Sequence, residues 1–129
     1  MADMSTVLQV NLLNSTLNGA AFTAIDNPYV SLWTSNPTDA ESGAEVSGGS
    51  YARTVANFPT AATNSVSISG DVTFPTATAG WGTVGWIGLH SASTGTGNLV
   101  YHTALDASKT IDTGDVFKIV TPNLTVTLD

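Results

Sequence analysis

The chain has 129 residues, ten acidic against three basic, a formal net charge of −7 and no cysteine. That length suits one domain burying roughly two-thirds of its unfolded surface, and the lack of cysteine removes disulfides, thiolate catalysis and Cys-based zinc sites. Three scattered cations, Arg53, Lys109 and Lys118, cannot neutralise the row of phosphates that nucleic-acid binding requires, so a nucleic-acid partner is not expected.

In chain order, Met1-Ala2-Asp3-Met4-Ser5 lacks a basic n-region and no long apolar core follows. The expectation is therefore a product made in a cytoplasm without a secretory signal. Nothing reaches the ~18 apolar residues of a membrane span, so no membrane partner is expected. Thr6 to Asn18 is the one candidate helix: Val10, Leu13 and Leu17 recur at i, i+3 and i+7, and Gly19 stands where a helix would stop. Residues 1–27 thus read as a helix and arm, and 28–129 as strands of the same single domain.

Tyr29 to Thr34 mixes β-branched and aromatic residues and ends at Asn36-Pro37. Asn36 to Ser50, polar and Gly-rich, reads as a long exposed loop that would adapt to a partner. Tyr51 to Phe58 reads as a strand. Val66, Ile68, Val72 and Phe74 hold period 2 across Gly70, which predicts a half-buried strand with a bulge at the glycine. Thr83 to His90 leaves neither face polar and reads as a buried strand. Leu99 to Leu105, Val116 to Val120 and Leu124 to Leu128 complete seven or eight short strands. Their spacing, with no room for crossover helices, predicts an all-β antiparallel sandwich or jelly-roll-like domain with one short N-terminal helix.

No constellation points to catalysis. His90 and His102 are the sole imidazoles; they would ligate a metal only if they converged with a carboxylate, and neither sits in H-x-H or H-E-x-x-H spacing, so polar-face positions are expected. There is no G-x-S-x-G elbow. Asp39/Glu41 and Asp112/Asp115 are close in sequence, but both pairs fall in turns, where Asp side chains bond nearby amides. No catalytic residue, cofactor or metal site is therefore assigned. Trp81 and Trp86 lie near one strand entrance; core or subunit contact outweighs stacking on a sugar for these rings.

Tyr29-Val-Ser-Leu-Trp-Thr-Ser-Asn-Pro-Thr-Asp39 and Glu45-Val-Ser-Gly-Gly-Ser-Tyr-Ala-Arg53, with later runs through Leu124–Asp129, resemble a family of small β-rich structural proteins of tailed bacteriophages. The resemblance spans about Leu12 to Asp129, and relatives often carry a small residue or His where this chain has Trp33. It implies a non-enzymatic virion component made in the host bacterial cytoplasm. Such proteins are often named tail-fibre proteins, and proteins of similar size and composition decorate heads. Two functions follow as expectations. The first is a capsid cement protein on the outer face of the head, bound to the major capsid protein or other virion proteins as a homo-oligomer, a trimer or dimer. The alternative is a tail-fibre or tail-tip component that attaches to a host glycan receptor. The residues expected at protein interfaces are Leu13, Leu17, Trp33, Asn36, Glu45, Tyr51, Arg53 and Trp81. A low charge density, 10% against about 25% in ordinary soluble domains, suits such contact.

Overall fold

The computed structural model describes residues 3–128; Met1, Ala2 and Asp129, which the sequence reading includes in the domain, lie outside them. Strands β1 (Asp3–Met4), β2 (Tyr29–Trp33), β3 (Thr54–Val55), β6 (Gly82–His90) and β7 (Leu99–Ile111) form an antiparallel sheet in the order β1-β7-β6-β2-β3. Strands β4 (Ser65–Ser67) and β9 (Thr125–Thr127) make one two-stranded ladder, and β5 (Val72–Thr73) and β8 (Lys118–Ile119) make another. Helix α1 spans Thr6–Leu17. The all-β class with a single short N-terminal helix is as the strand spacing predicts.

The strand with no polar face takes the middle of the large sheet. β6 pairs with β2 on one side and β7 on the other, and its last four residues are all buried. Val30 and Leu32 of β2, Val84, Ile87 and Leu89 of β6, and Val72, Ile119 and Val126 of the small ladders join one hydrophobic cluster. That cluster, rather than backbone pairing, unites the three sheets.

Four elements differ from expectation, each for a local reason. The run from Val66 to Phe74 is not one bulged strand. It breaks at Ser69-Gly70-Asp71 and changes partners, from β9 before the break to β8 after it. Its inward residues Ile68, Val72 and Phe74 stay buried throughout, so the period-2 pattern reports burial and not continuous pairing. Residues Tyr51 to Phe58 contribute only Thr54–Val55 as strand, because the residues before β3 wrap into turns. β7 runs six residues past the predicted end at Leu105, to Ile111. Asp106 to Thr110 are all exposed, so no apolar alternation marks them, yet they pair with the start of β6 through Thr83↔Thr110 and Gly82↔Ile111. β1 is too short to leave a sequence pattern.

Ser5 fixes the helix. Its Oγ accepts from the Leu8 N–H at 3.2 Å as an N-cap and donates to the Leu99 carbonyl, which ties the helix start to β7. Leu8 is buried and Leu12 packs against the core. The stripe that predicted the helix faces the other way: Val10, Leu13 and Leu17 are exposed.

Candidate functional site

The Glu45–Arg53 segment folds into a clamp. Val46 N–H donates to the Leu32 carbonyl at 2.9 Å, which lays the loop along β2, and Glu45 forms an isolated bridge with Trp33. Gly48, Gly49 and Ser50 all have positive φ, and the chain turns sharply there. Gly49 is required for a second reason: a Cβ would sit 2.9 Å from Trp81 Nε1 and 2.8 Å from the Ala79 carbonyl oxygen. Trp81 is buried, donates to the Gly49 carbonyl at 2.9 Å and meets Tyr51 edge-on at 5.5 Å.

At the centre, Tyr51 Oη donates to Glu45 Oε2 at 2.6 Å and accepts from the Leu32 N–H at 3.0 Å. Arg53 Nε and Nη2 each donate to the Glu45 carboxylate at 2.8 Å, a bidentate pair. Its other donors cross to the 91–98 loop: Nη1 to the Ala92 carbonyl at 3.2 Å and Asn98 Oδ1 at 3.1 Å, and Nη2 to the Gly95 carbonyl at 2.8 Å. The guanidinium has five N–H donors and here makes five bonds. Its side chain is 5% exposed. Burial disfavours its charge, but the bonds to Glu45 outweigh that and raise the Arg53 pKa. Burial likewise works against the Glu45 carboxylate, and the bonds from Arg53 and Tyr51 overcome it and lower its pKa. The Tyr51 phenol is pushed up, by burial first and by the neighbouring carboxylate second.

Behind the clamp lies a chain of hydrogen bonds with one direction. Asn98 Nδ2 donates to the Thr94 and Thr96 carbonyls, so its Oδ1 is the atom facing His90 Nδ1 at 2.8 Å. His90 therefore carries its proton on Nδ1, and Nε2 accepts from Ser31 Oγ at 2.7 Å. Ser31 Oγ in turn accepts from Trp33 Nε1 at 2.7 Å. Trp33 stacks on the imidazole with centroids 6.2 Å apart. His90 is 0% exposed, and burial, with the Arg53 charge next, lowers its pKa to about 4. Gly88 leaves room for this chain: a Cβ there would lie 2.8 Å from Ser31 Oγ and 3.1 Å from Trp33 Nε1.

The two histidines do not sit on a polar face, as the sequence reading expected; both are buried because each has a built-in partner. His102 Nε2 meets Asp39 Oδ1 at 2.7 Å. Glu41 Oε2 accepts from the Gly97 N–H at 2.6 Å, while its buried Oε1, without a hydrogen bond, stands 3.7 Å from His90 Nδ1. Asp112 and Asp115 close a turn on each other, the Asp112 N–H donating to Asp115 Oδ2 at 2.9 Å. Among the described residues no three His, Cys, Asp or Glu side chains gather as a metal site would need.

Of the eight residues expected at interfaces, the structure brings Glu45, Tyr51 and Arg53 together as the clamp and buries Trp33 and Trp81 beside it. Asn36 is exposed, its Oδ1 accepting from the Thr38 N–H at 2.9 Å in a local turn. Leu13 and Leu17 lie apart from these, 58% and 80% exposed on α1. The 36–50 loop is less adaptable than its composition suggests, since Pro37 and Val46 are buried and Asp39 and Glu41 bond to the 97–102 region. Missed in the sequence were Ser31 and Asn98, and the exposed Val7 and Phe22 beside the helix. Ser31 alternates with Val30 and Leu32 like any outward residue, and Asn98 sits in a turn-rich run; neither carries a pattern of its own.

No helix among the described residues is long and apolar enough to cross a membrane. A family model described as podophage GP4 fiber I protein gp80 matches residues 3–127 of the chain. No curated protein matches it.

Proposed function

The chain belongs to the podophage GP4 fiber I protein gp80 family, a virion protein family, and on that premise we propose that it is a non-enzymatic structural component of the phage tail fibre. The family match over residues 3–127 carries this function. Attachment to the head shell as a cement protein is the first of the two expectations drawn from the resemblance, and a fibre family favours the tail instead. The chemistry agrees with a scaffold: Arg53, Glu45, Tyr51 and His90 spend their hydrogen bonds inside the fold, where they hold two loops in place. Its partners are then other virion proteins. Gold-labelled antibody against the chain, imaged by electron microscopy on intact particles, is expected to mark fibres at the tail; label confined to the head shell would restore the cement function.

Contact with a host-surface glycan is a second function, favoured by one depression. A cavity of about 440 Å³ opens between the clamp and the 91–98 loop, with Glu45 and Arg53 in its wall and Ser47, Ser93, Thr94 and Thr96 around it. Those four residues are exposed at its rim, so their hydroxyls are open to solvent and to a ligand. Exposed hydroxyls beside a fixed charge pair suit the alternating donors and acceptors of a sugar. Purified chain is expected to bind host cells and to lose that binding on Thr94→Val/Thr96→Val. Equal binding by the variant, or none by the parent chain, removes the glycan from the account and leaves the fibre role intact.

A further inference from the structure

We propose that the outward face of α1 is a self-association seam, occupied by the same helix of a second copy of this chain. At 3.6 residues per turn, Val10, Leu13 and Leu17 fall within about 60° of arc. Their 3-4 spacing, continued backward to Thr6, is the a/d spacing of a helix that packs knobs into the holes of another helix. They are 49%, 58% and 80% exposed. The opposite face is already committed, with Leu8 and Leu12 against the core and Ser5 bonded to β7, so the helix is held as a rigid ridge with its apolar edge outward.

Two further observations select a copy of the chain as the occupant. Of the nine exposed large hydrophobic side chains among the described residues, five (Val7, Val10, Leu13, Leu17 and Phe22) lie in one N-terminal stretch, the concentration that marks a contact surface rather than scattered surface residues. The charges are distributed in the complementary way. The chain carries −7, yet no charged residue stands between Asp3 and Asp26. A basic partner would be drawn to the acidic remainder of the surface. A second acidic copy is repelled everywhere except here, where neutral Gln9, Asn14 and Thr16 flank the seam. A 12-residue helix is about 18 Å long, so α1 alone makes a small contact. Val7 and Phe22, which line one shared hollow beside it, widen the patch.

The biological setting of this seam rests on the fibre role, but its test does not. Sedimentation equilibrium of the full chain over a wide concentration range is expected to show reversible association. Leu13→Asp/Leu17→Asp should weaken it at least ~100-fold, because the apolar contact is lost and like charges meet across the seam. Leu13→Met/Leu17→Met should preserve it, and so should Val116→Asp, a similarly exposed valine far along the chain. The Asp variants replace solvent-exposed side chains, so their circular dichroism and urea midpoints should match the parent; if they misfold, Leu13→Gln/Leu17→Gln replaces them in the same measurement. A parent chain that stays monomeric throughout, or Asp variants that associate as the parent does, overturns the seam. Neither result bears on where antibody marks the particle.

Discussion

Arg53→Ala is expected to destabilise the fold by about 3–5 kcal/mol, the range for removing one partner of a buried ion pair. The side chain is 5% exposed and its loss strands more than one group. The Glu45 carboxylate would keep only the Tyr51 bond, and the Ala92 and Gly95 carbonyls and Asn98 Oδ1 would each lose a donor. The part-buried Glu45 carboxylate and Ala92 carbonyl add to the cost, whereas the Gly95 carbonyl is exposed and Asn98 Oδ1 keeps its bond from His90 Nδ1. The urea midpoint should fall with little change in slope, since the same surface is exposed on unfolding. Arg53→Lys should recover little, because an ammonium cannot span both Glu45 oxygens and three acceptors on another loop. Arg53→Met with Glu45→Gln should be less destabilised than the sum of the single changes, as the stranded charge is gone. A loss below ~1 kcal/mol for Arg53→Ala, the level of a surface pair, would show that the clamp does not hold the loops.

This clamp is what the most recognisable stretch of the sequence encodes. Glu45 to Arg53 stands out as a string, and its residue types invite a binding role, since a Tyr and an Arg on a Gly-rich loop are common at interfaces. Their actual partners are decided by two events far away in sequence: the return of the 91–98 loop, and the burial of Trp81 under Gly49. Local pattern cannot announce either. The sheet was legible for the opposite reason. Tyr29–Trp33 and Gly82–His90 are apolar enough to be buried wherever they pair, so their burial follows from composition alone. The Gly70 break shows the limit of that logic, because the alternation of Ile68, Val72 and Phe74 records which side is inward and says nothing of which strand lies alongside. Helix α1 shows it again: two apolar sets coexist on one helix, and long-range anchors at its start, Ser5 on β7 and the Thr6 N–H on the Asp39 carbonyl, hold it with Leu8 and Leu12 turned in and Val10, Leu13 and Leu17 turned out.

The hydrogen-bond chain from Trp33 to Asn98 makes the fold sensitive to acid with a defined sign. His90 has a pKa lowered to about 4, whereas in the unfolded chain it titrates near its ordinary 6.5. Between those values the unfolded state holds a proton that the native state refuses, so stability is complete above pH ~6.5 and falls as the pH drops toward about 4. At ~1.4 kcal/mol per pH unit, the loss over that window is roughly 3 kcal/mol. The cause is visible around the ring. A second proton would go to Nε2, where Ser31 must already donate, and Arg53 stands close by with its positive charge. The hydrogen bond to Asn98 and, after it, the Glu45 carboxylate offset this only in part. Glu45, with its own lowered pKa, adds a loss of the same sign at lower pH, as its carboxylate protonates and releases Arg53. The two are separated by His90→Gln, which keeps a neutral hydrogen-bonding side chain and cannot titrate. Its urea midpoint should be nearly flat from about pH 7 to 5, where the parent declines, and should fall with the parent only where Glu45 titrates. An identical decline in both proteins, or an NMR titration of His90 centred near 6.5, would mean that the buried chain does not exclude the proton. If the decline belongs to His90, acid acts first on Asn98 and the 91–98 loop it anchors, and through Arg53 on the wall of the depression that faces solvent.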